Sequence, residues 1–321
     1  MSSQVYTMNK IHDKKIAVLI PCYNEEVALK IVISNFKIAL PCSKIYVYDN
    51  NSTDSTVQVA KDAGAIVRSE PLQGKGNVVR RMFADVEADI YVLVDGDDTY
   101  DAFQAENLIN ELVCNHLDMV NASRYSSSKE SYRSGHRLGN LLLTSMVAWL
   151  FGHRFKDMLS GYRIFSRRYV KSFPAEAAGF EIETELTVHA LQLNLPVSEV
   201  VTQYKERPIG SVSKLSTFKD GFRILSMILR LIKSERPFMF FTFFSALFLL
   251  HALYLSVPLF ETFMMTGLVP RIPTAVIIVG LSILSAISFA CGLILDTVTR
   301  GRRELRRLVY LQYPAPAFSN E

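Results

Sequence analysis

The chain of 321 residues contains little cysteine, and its cysteines follow no metal-binding pattern. Only four are present, at separations that match neither paired zinc ligands nor a redox motif. Cysteines used in this way are typical of buried thiols in a reducing compartment, so the sequence argues against a zinc site. The four are Cys22, Cys42, Cys114 and Cys291.

Other absences narrow the class of protein further. The polar tail of residues 1–14 lacks the apolar core of a secretory signal peptide, so nothing directs the first half of the chain to the cell exterior. The net charge is a mild +4, and the basic residues gather beside apolar runs near the C-terminus, which argues against nucleic-acid binding. A Walker loop is missing too, because Gly74-Lys75-Gly76 lacks its longer glycine spacing and its Ser or Thr.

An apolar run that ends in carboxylates is the strongest signal in the sequence. Residues 90–94 read as a strand buried on both faces, and Asp95, Asp97 and Asp98 follow at its carboxyl end, where open α/β sheets bind ligands. Gly96 permits a sharp turn between them. Such carboxylates suit Mg²⁺ or Mn²⁺, although an isolated Asp-x-Asp is more often a charged turn without a ligand.

Further strands are predicted at residues 16–20, 44–48, 65–68 and 119–123, with helices between them. This alternation predicts an α/β fold with right-handed βαβ units and a parallel sheet. Polar loops leave the carboxyl ends of these strands, so they should meet at one edge of the sheet. That convergence is the main argument for a site.

Two of these loops have both a structural and a functional interpretation. The loop from Asp49 to Asp54 is either a helix cap or, through Asp49, an acceptor for a nucleotide base or ribose. Gly74-Lys75-Gly76 is either a plain glycine turn or a phosphate cradle at the start of a helix. Combined with the carboxylates, they describe a site for a nucleoside diphosphate.

Four ordered motifs carry a resemblance to a known family. Pro21-Cys22-Tyr23-Asn24-Glu25-Glu26, Asp49-Asn50-Asn51-Ser52-Thr53-Asp54, Gly74-Lys75-Gly76-Asn77 and Asp95-Gly96-Asp97-Asp98 closely resemble the motifs of glycosyltransferase family 2. Within that family the chain looks like the polyprenyl-phosphate glycosyltransferases, which include dolichyl-phosphate mannose synthase and bacterial undecaprenyl-phosphate glucosyltransferases. The resemblance implies a Rossmann-like GT-A domain over residues 15–215.

The resemblance also implies roles for individual residues. It assigns the metal, Mg²⁺ or Mn²⁺, to Asp95 and Asp97, and Thr99 stands where mannose synthases have a glutamine ligand. It implies nucleotide binding by Pro21, Tyr23, Asn24, Glu25, Asp49, Lys75, Asp95 and Gly96.

The acceptor side of the site is assigned in the same way. Asp157-Met158-Leu159-Ser160-Gly161-Tyr162-Arg163 resembles a family segment whose aspartate lies near the reacting centre, so Asp157 joins Asp97 as a catalytic candidate. A phosphate acceptor is already largely ionised at neutral pH, with a second pKa of ~6, so Asp157 acts either as a base or by orienting the acceptor. Candidates for binding the acceptor phosphate are Arg124, Arg133, Arg137, Arg207, Ser213 and Lys214, and solvated surface charge is the alternative for the first three.

The helix predicted from Phe180 carries several acidic residues in its first turn, including Glu183. The helix dipole alone would explain them.

Two long apolar runs, residues 237–260 and 273–295, are each long enough to cross a ~30 Å hydrocarbon core. Basic residues flank them on the outer sides, which predicts that the catalytic domain and both termini are cytoplasmic. We therefore expect an integral membrane protein of a bacterial inner membrane or its equivalent. The predicted parts are an amphipathic juxtamembrane helix at 216–235, two transmembrane helices within 236–297 and a basic tail at 298–321. Residues 138–151 are apolar but too short to span, so they form either an interfacial helix or a core helix.

The leading hypothesis is inverting transfer of a hexose from a UDP-sugar to undecaprenyl or dolichyl phosphate at the membrane. A processive family 2 polysaccharide synthase is one alternative, but the single tryptophan, Trp149, is not in the Gln-x-x-Arg-Trp segment of those enzymes. A non-catalytic membrane scaffold that keeps the fold is the other. Homo-oligomerisation through the spans stays open.

Overall fold

A computed structural model describes residues 14–125, 145–149, 152, 155–179, 181–206, 208, 226 and 229–316. The chain divides into two compact units. Unit 1 comprises Met1–Gly221 together with Arg306–Glu321, and unit 2 comprises Phe222–Leu305.

Unit 1 alternates strands and helices. Its strands are β1 (Ile16–Cys22), β2 (Lys44–Asp49), β3 (Ile66–Ser69), β4 (Ile90–Leu93), β5 (Met119–Tyr125), β6 (Arg163–Ser166) and β7 (Val197–Gln203). Its helices are α1 (Leu29–Ala39), α2 (Thr56–Asp62), α3 (Lys75–Asp85), α4 (Ala105–Cys114), α5 (Arg167–Ser172) and α6 (Ile182–Gln192). A short 3₁₀ turn, Ala102–Gln104, precedes α4.

The seven strands form one sheet in the order β3-β2-β1-β4-β6-β5-β7. The expectation of a parallel sheet was wrong in one respect, because β6 runs antiparallel to both β4 and β5. The remaining pairs are parallel, so the carboxyl ends of β1, β2 and β4 lie at one edge, as the sequence predicted. The central strands β1 and β4 are buried because apolar clusters cover both faces of the sheet.

One face of the sheet encloses a buried histidine on α6. His189 lies edge-on to the rings of Tyr169 and Phe173, and its Nε2 is 3.2 Å from the hydroxyl of Ser172. Its other ring nitrogen has no hydrogen-bond partner among the residues that the structure describes. Burial, with a smaller contribution from the charge of Arg306, lowers the pKa of His189 to about 3.

This histidine should make the fold sensitive to acid. The unfolded chain takes up a proton at His189 below pH 6.5, whereas the folded chain does not until about pH 3, so stability falls as the pH drops through that window. At pH 5 the loss is about 2 kcal/mol. The melting temperature of a His189→Gln variant should fall less between pH 7 and 5 than that of the unsubstituted chain. In His116→Gln, which changes an exposed histidine, the melting temperature should fall as steeply as in the unsubstituted chain.

The C-terminal residues of unit 1 pack at the start of β5. The hydroxyl of Tyr310 donates to Oδ2 of the fully buried Asp118 at 2.8 Å, and Arg168 both pairs with that carboxylate and lies over the Tyr310 ring. Arg306 donates to Gln192 and Glu176. Arg306 and Tyr310, which belong to the predicted basic tail at 298–321, therefore pack within unit 1.

Unit 2 contains α7 (Pro237–Thr266) and most of α8 (Ile272–Leu311). Both helices are long and apolar enough to cross a membrane, and only 11% of each apolar window is buried, unlike the core helix of a soluble protein. The hydroxyl of Ser285 donates to the carbonyl of Ser245 at 2.9 Å, which links the two helices by a polar contact.

Candidate active site

The loops that follow β1 and β2 are tied together by hydrogen bonds. The backbone N–H of Asn24 donates to the hydroxyl of Ser52 at 2.9 Å, and the N–H of Thr53 donates back to the Asn24 side chain at 2.8 Å. Asn24 adopts a left-handed backbone conformation, with φ of 52°, which asparagine tolerates better than most residues. Pro21 and Asp49 lie at the ends of β1 and β2, and Tyr23, Asn24 and Glu25 follow in the first of these two cross-linked loops.

A third loop is attached through Asn50, a residue to which the sequence assigned no role of its own. Its side-chain amide donates to the carbonyls of Glu70 and Leu72, and its carbonyl oxygen accepts from the N–H of Gly74 at 2.7 Å. Asn50 is buried, so these bonds satisfy a side chain that would otherwise be costly to bury. It fixes the start of α3 and therefore the position of Lys75.

Lys75 reaches across the sheet edge to two carboxylates. Its Nζ lies 2.5 Å from Oδ1 of Asp95 and 2.6 Å from Oε1 of Glu183 on α6. Burial lowers the pKa of Lys75, but the charges of Asp95 and Glu183 outweigh that effect and raise it. The lysine therefore stays protonated and gives the site a fixed positive charge.

The glycines on either side of Lys75 have a packing reason in this fold. A Cβ on Gly74 would lie 2.2 Å from the carbonyl oxygen of Ala178, and one on Gly76 would lie 2.1 Å from that of Ala177. The backbone before α6 thus passes directly over the start of α3. This close approach is what requires glycine here, whether or not a phosphate also binds.

The carboxylates after β4 differ in their surroundings. Asp97 is buried, and its Oδ1 accepts from the hydroxyl of Thr99 at 2.6 Å. Thr99 therefore orients Asp97, at the position where mannose synthases have a glutamine. The backbone of Asp98 is in the left-handed conformation, with φ of 55°. Burial raises the pKa of Asp98, and the charge of Lys205 offsets part of that rise.

Asp95 and Asp97 fit a hard divalent cation as a pair. Among the described residues, no group of three or more His, Cys, Asp or Glu side chains is arranged to hold a metal ion. A cation bound by Asp95 and Asp97 would therefore complete its coordination with oxygens of phosphate and water. Mg²⁺ is commonly held in this way, by one or two carboxylates and the phosphates of a substrate. The donor set is oxygen, as Mg²⁺ and Mn²⁺ prefer.

Gly161 lies against the carboxylate of Asp95. A Cβ built on Gly161 would approach Oδ2 of Asp95 to 2.2 Å, which forces the carboxylate to move. The N–H of Gly161 donates to the hydroxyl of Tyr100 at 2.8 Å, which fixes the backbone at that point.

We expect Gly161→Ala to spare the fold and impair the site. Asp95 is a side chain that can rotate aside, so the unfolding temperature should change little, whereas turnover should fall roughly 10²-fold because a ligand oxygen is displaced by about 1 Å. Gly301→Ala, where an added Cβ meets nothing within 4 Å, is the matched control. Equal turnover in both variants would contradict the expectation.

Arg124 and Asp157 form a two-point ion pair. Nε of Arg124 lies 2.7 Å from Oδ2 of Asp157, and its second nitrogen donates to Oδ1 at 2.8 Å. Burial raises the pKa of Asp157, but hydrogen bonds and charge from Arg124 outweigh it, so the pKa is lowered. The structure thus joins a predicted acceptor-phosphate residue to a predicted catalytic one.

Two residues that the sequence did not single out hold Asp157 in place. Glu199 on β7 accepts the N–H of Asp157 at 3.0 Å and the side-chain amide of Asn121 at 2.9 Å. Asn121 also donates to the carbonyl of Asp157 at 2.7 Å. Asn121 is a fully buried polar residue on the buried strand β5, a signal that could have found it, whereas Glu199 is half-buried on the edge strand β7.

The other predicted acceptor residues lie outside the described residues. They are Arg133, Arg137, Arg207, Ser213 and Lys214. Of the predicted interfacial helix at 138–151, residues 145–149 are helical, with the Trp149 side chain exposed.

Comparison with known proteins decides the family. The model of the family described as "Glycosyl transferase family 2" matches residues 17–173. Glycosyltransferase AglJ of Haloferax volcanii is 32% identical over 228 residues, which cover 70% of this chain and 75% of AglJ. The chain is a family 2 glycosyltransferase. Protein RfbJ of Shigella flexneri is 61% identical over 127 residues, which cover 39% of this glycosyltransferase and 98% of RfbJ.

Solved structures agree with the fold. Glucosyl-3-phosphoglycerate synthase of Mycobacterium tuberculosis superimposes with a TM-score of 0.58 at 22% identity, covering 71% of this glycosyltransferase and 83% of that chain. That enzyme has also been solved with Mn²⁺, UDP and glucosyl-3-phosphoglycerate. The seven-stranded mixed sheet is that of the GT-A glycosyltransferases.

Proposed function

We propose that this family 2 glycosyltransferase moves a hexose from a UDP-sugar to a polyprenyl phosphate at a membrane surface, with inversion at the sugar carbon. The observation that carries the proposal is the grouping of Asp95, Asp97 and Lys75 at the carboxyl edge of the sheet, in a chain with two helices apolar enough to cross a membrane. Oxygen ligands and a fixed cation beside each other suit a diphosphate.

Relatives support both substrates. A dolichyl-phosphate hexose transferase of Haloferax volcanii is 26% identical over 222 residues, which cover 69% of this chain and 95% of that enzyme. The mycobacterial structures with UDP-glucose and Mn²⁺ make a UDP-sugar and a divalent cation the natural first donor and cofactor to test.

On the donor side, the loops after β1 and β2 would bind the base and ribose, with Asp49 as the acceptor. Lys75, Asp95 and Asp97 would meet the diphosphate. A Mg²⁺ or Mn²⁺ held by the two aspartates would neutralise the charge that develops on the leaving UDP. Lys75 adds a second positive charge, fixed before the donor arrives, which lowers the cost of reorganisation.

On the acceptor side, a phosphate oxygen of the lipid forms the bond to C1 of the sugar while the bond from C1 to the β-phosphate oxygen breaks. The acceptor is largely a dianion at neutral pH, with a second pKa of ~6, so it does not need a strong base. Asp157 is itself a weak base because Arg124 lowers its pKa. We assign Asp157 and Arg124 together to placing the acceptor phosphate, with Arg124 as a charge-assisted donor.

The anchor follows from the acceptor. A phosphate on a long prenyl chain stays in the bilayer, so the enzyme must work at the headgroup plane. The catalytic domain and both termini would then face the cytoplasm, as the flanking basic residues indicate.

A screen of donors and acceptors tests the proposal. The full-length chain, purified in detergent with Mn²⁺, is incubated with radiolabelled UDP-glucose, UDP-galactose, UDP-GlcNAc or GDP-mannose and with undecaprenyl or dolichyl phosphate. We expect label from a UDP-hexose to pass into the organic phase only when the prenyl phosphate is present. The unphosphorylated prenol should give none.

Two results would contradict the proposal. Transfer to a soluble acceptor, with none to either lipid phosphate, would reject the acceptor class. Growth of a polymer from the same donors would favour the processive alternative.

A further inference from the structure

The two carboxylates that pair with Lys75 differ in their exposure. The Glu183 side chain is 8% exposed and that of Asp95 is 29% exposed, while Lys75 itself is 11% exposed. Lys75 and Glu183 come from distant parts of the chain, 108 residues apart, so the pair depends on the fold. The lysine therefore has one deeply buried partner and one that borders solvent.

Glu183 has few ways to compensate its charge other than Lys75. Its Oε1 contacts Lys75, and its Oε2 is buried and has no hydrogen-bond partner in the described part of the chain. A buried carboxylate left without its cation is strongly destabilising, because its desolvation is then not offset. Glu183 should therefore keep Lys75 in every state of the folded protein.

Asp95 has the opposite character. Among the described residues its ion-pair partner is Lys75 alone, yet Asp95 is exposed enough to exchange that partner for a ligand from solution. A divalent cation at Asp95 and Asp97 would compete with the ammonium of Lys75 for the same carboxylate. Releasing Asp95 to that cation costs little free energy only if Lys75 keeps a second anionic partner.

We infer that Glu183 is a positioning residue, which holds Lys75 so that Asp95 can be released to the cation of the donor complex. The inference rests on the proposed function, because it needs a divalent cation and a nucleoside diphosphate in this site. Its effect is transmitted through Lys75 alone. When the donor binds, Glu183 keeps the lysine beside the diphosphate instead of letting it compete with the metal.

Removing the charge of Glu183 should therefore weaken the binding of the metal. In Glu183→Gln the ammonium of Lys75 has Asp95 as its remaining anion, so the lysine holds Asp95 more tightly against the incoming cation. We expect the dissociation constant of Mn²⁺, measured by electron paramagnetic resonance with saturating UDP, to rise roughly five- to tenfold.

Glu185→Gln is the matched control. Glu185 lies on the same helix and accepts the N–H groups of Glu176 and Ala177, whereas the ion pairs of Lys75 among the described residues are with Asp95 and Glu183. That variant should bind Mn²⁺ as the unsubstituted chain does, whatever it does to the melting temperature.

The decisive comparison repeats Glu183→Gln in a Lys75→Gln background. If Glu183 acts through the lysine, the second substitution should not weaken Mn²⁺ further there, and it should raise the melting temperature by removing an uncompensated buried charge. An equal loss of Mn²⁺ affinity on both backgrounds would overturn the inference, because the charge of Glu183 would then act on the cation directly and not through Lys75.

The failure of the inference can be told from the failure of the proposed function. If the unsubstituted chain binds Mn²⁺ with UDP and Glu183→Gln binds it equally well, the positioning role is wrong and the function stands. If the unsubstituted chain shows no Mn²⁺ binding that depends on UDP, the proposed donor site is wrong and the inference falls with it.

Discussion

Asp97→Asn is expected to lower turnover by about 10³-fold, because under the proposed function the site would lose a charged ligand of the cation that would stabilise the leaving diphosphate. The substitution keeps the shape of the side chain and an oxygen that can accept from Thr99, so the fold should survive. Mn²⁺ binding in the presence of UDP should weaken in parallel. Steady-state turnover and resonance titration of free Mn²⁺ measure the two effects separately.

Asp98→Asn is the control that makes this result specific. Asp98 is adjacent, carries the same charge and occupies a left-handed conformation that asparagine also tolerates. Burial raises the pKa of Asp98, and the charge of Lys205 offsets part of that effect. We expect near-normal turnover from Asp98→Asn, and a loss as large as that of Asp97→Asn would mean that Asp98 is a third ligand.

The sequence was sufficient to place the candidate donor residues at one edge of the sheet, because their placement follows local rules. Apolar runs ending in polar loops predicted β1, β2 and β4, and parallel strands bring the ends of such runs to one edge. The metal candidates Asp95 and Asp97 lie within a few residues of each other, so their proximity was visible in the sequence.

Long-range partners could not be predicted in the same way. β6 escaped notice because it is four residues long and begins with Arg163, a charged residue that is fully buried. Arg163 is tolerated there because it donates to the carbonyls of Ser160 and Met158 and to Thr187. No periodicity reveals such a strand, and with β6 unseen the sheet was predicted to be parallel.

The contact of Glu183 with Lys75 was not predicted for a related reason. An acidic residue in the first turn of a helix is explained well enough by the helix dipole, so nothing in the sequence pointed to a second role. Only the fold brings Glu183 to Lys75, and Arg124 to Asp157.

Asp157→Asn is expected to lower turnover by at least about 10²-fold while leaving the binding of UDP and Mn²⁺ unchanged. The asparagine loses the charge that holds the guanidinium of Arg124 in a two-point pair, so the residue that we assign to the acceptor phosphate loses its orientation. A 1 Å error in placing a reactant is enough for an effect of this size. Near-normal turnover would remove Asp157 from the mechanism.

The pH dependence of turnover separates an orienting role for Asp157 from a role as base. Because Arg124 lowers the pKa of Asp157, its carboxylate stays ionised down to well below neutral pH and accepts a proton poorly. If Asp157 orients the acceptor, the acidic limb of the profile should report the ionisation of the acceptor phosphate, near pH ~6. That limb should then stay in place when Asp157 is replaced.

Arg124→Lys should reproduce much of the loss of turnover, because lysine, although it keeps the charge, cannot make the two-point pair. An acidic limb that disappears in Asp157→Asn would instead assign the proton to Asp157, and Arg124→Lys would then shift that limb to higher pH because a weaker pair lowers the pKa less.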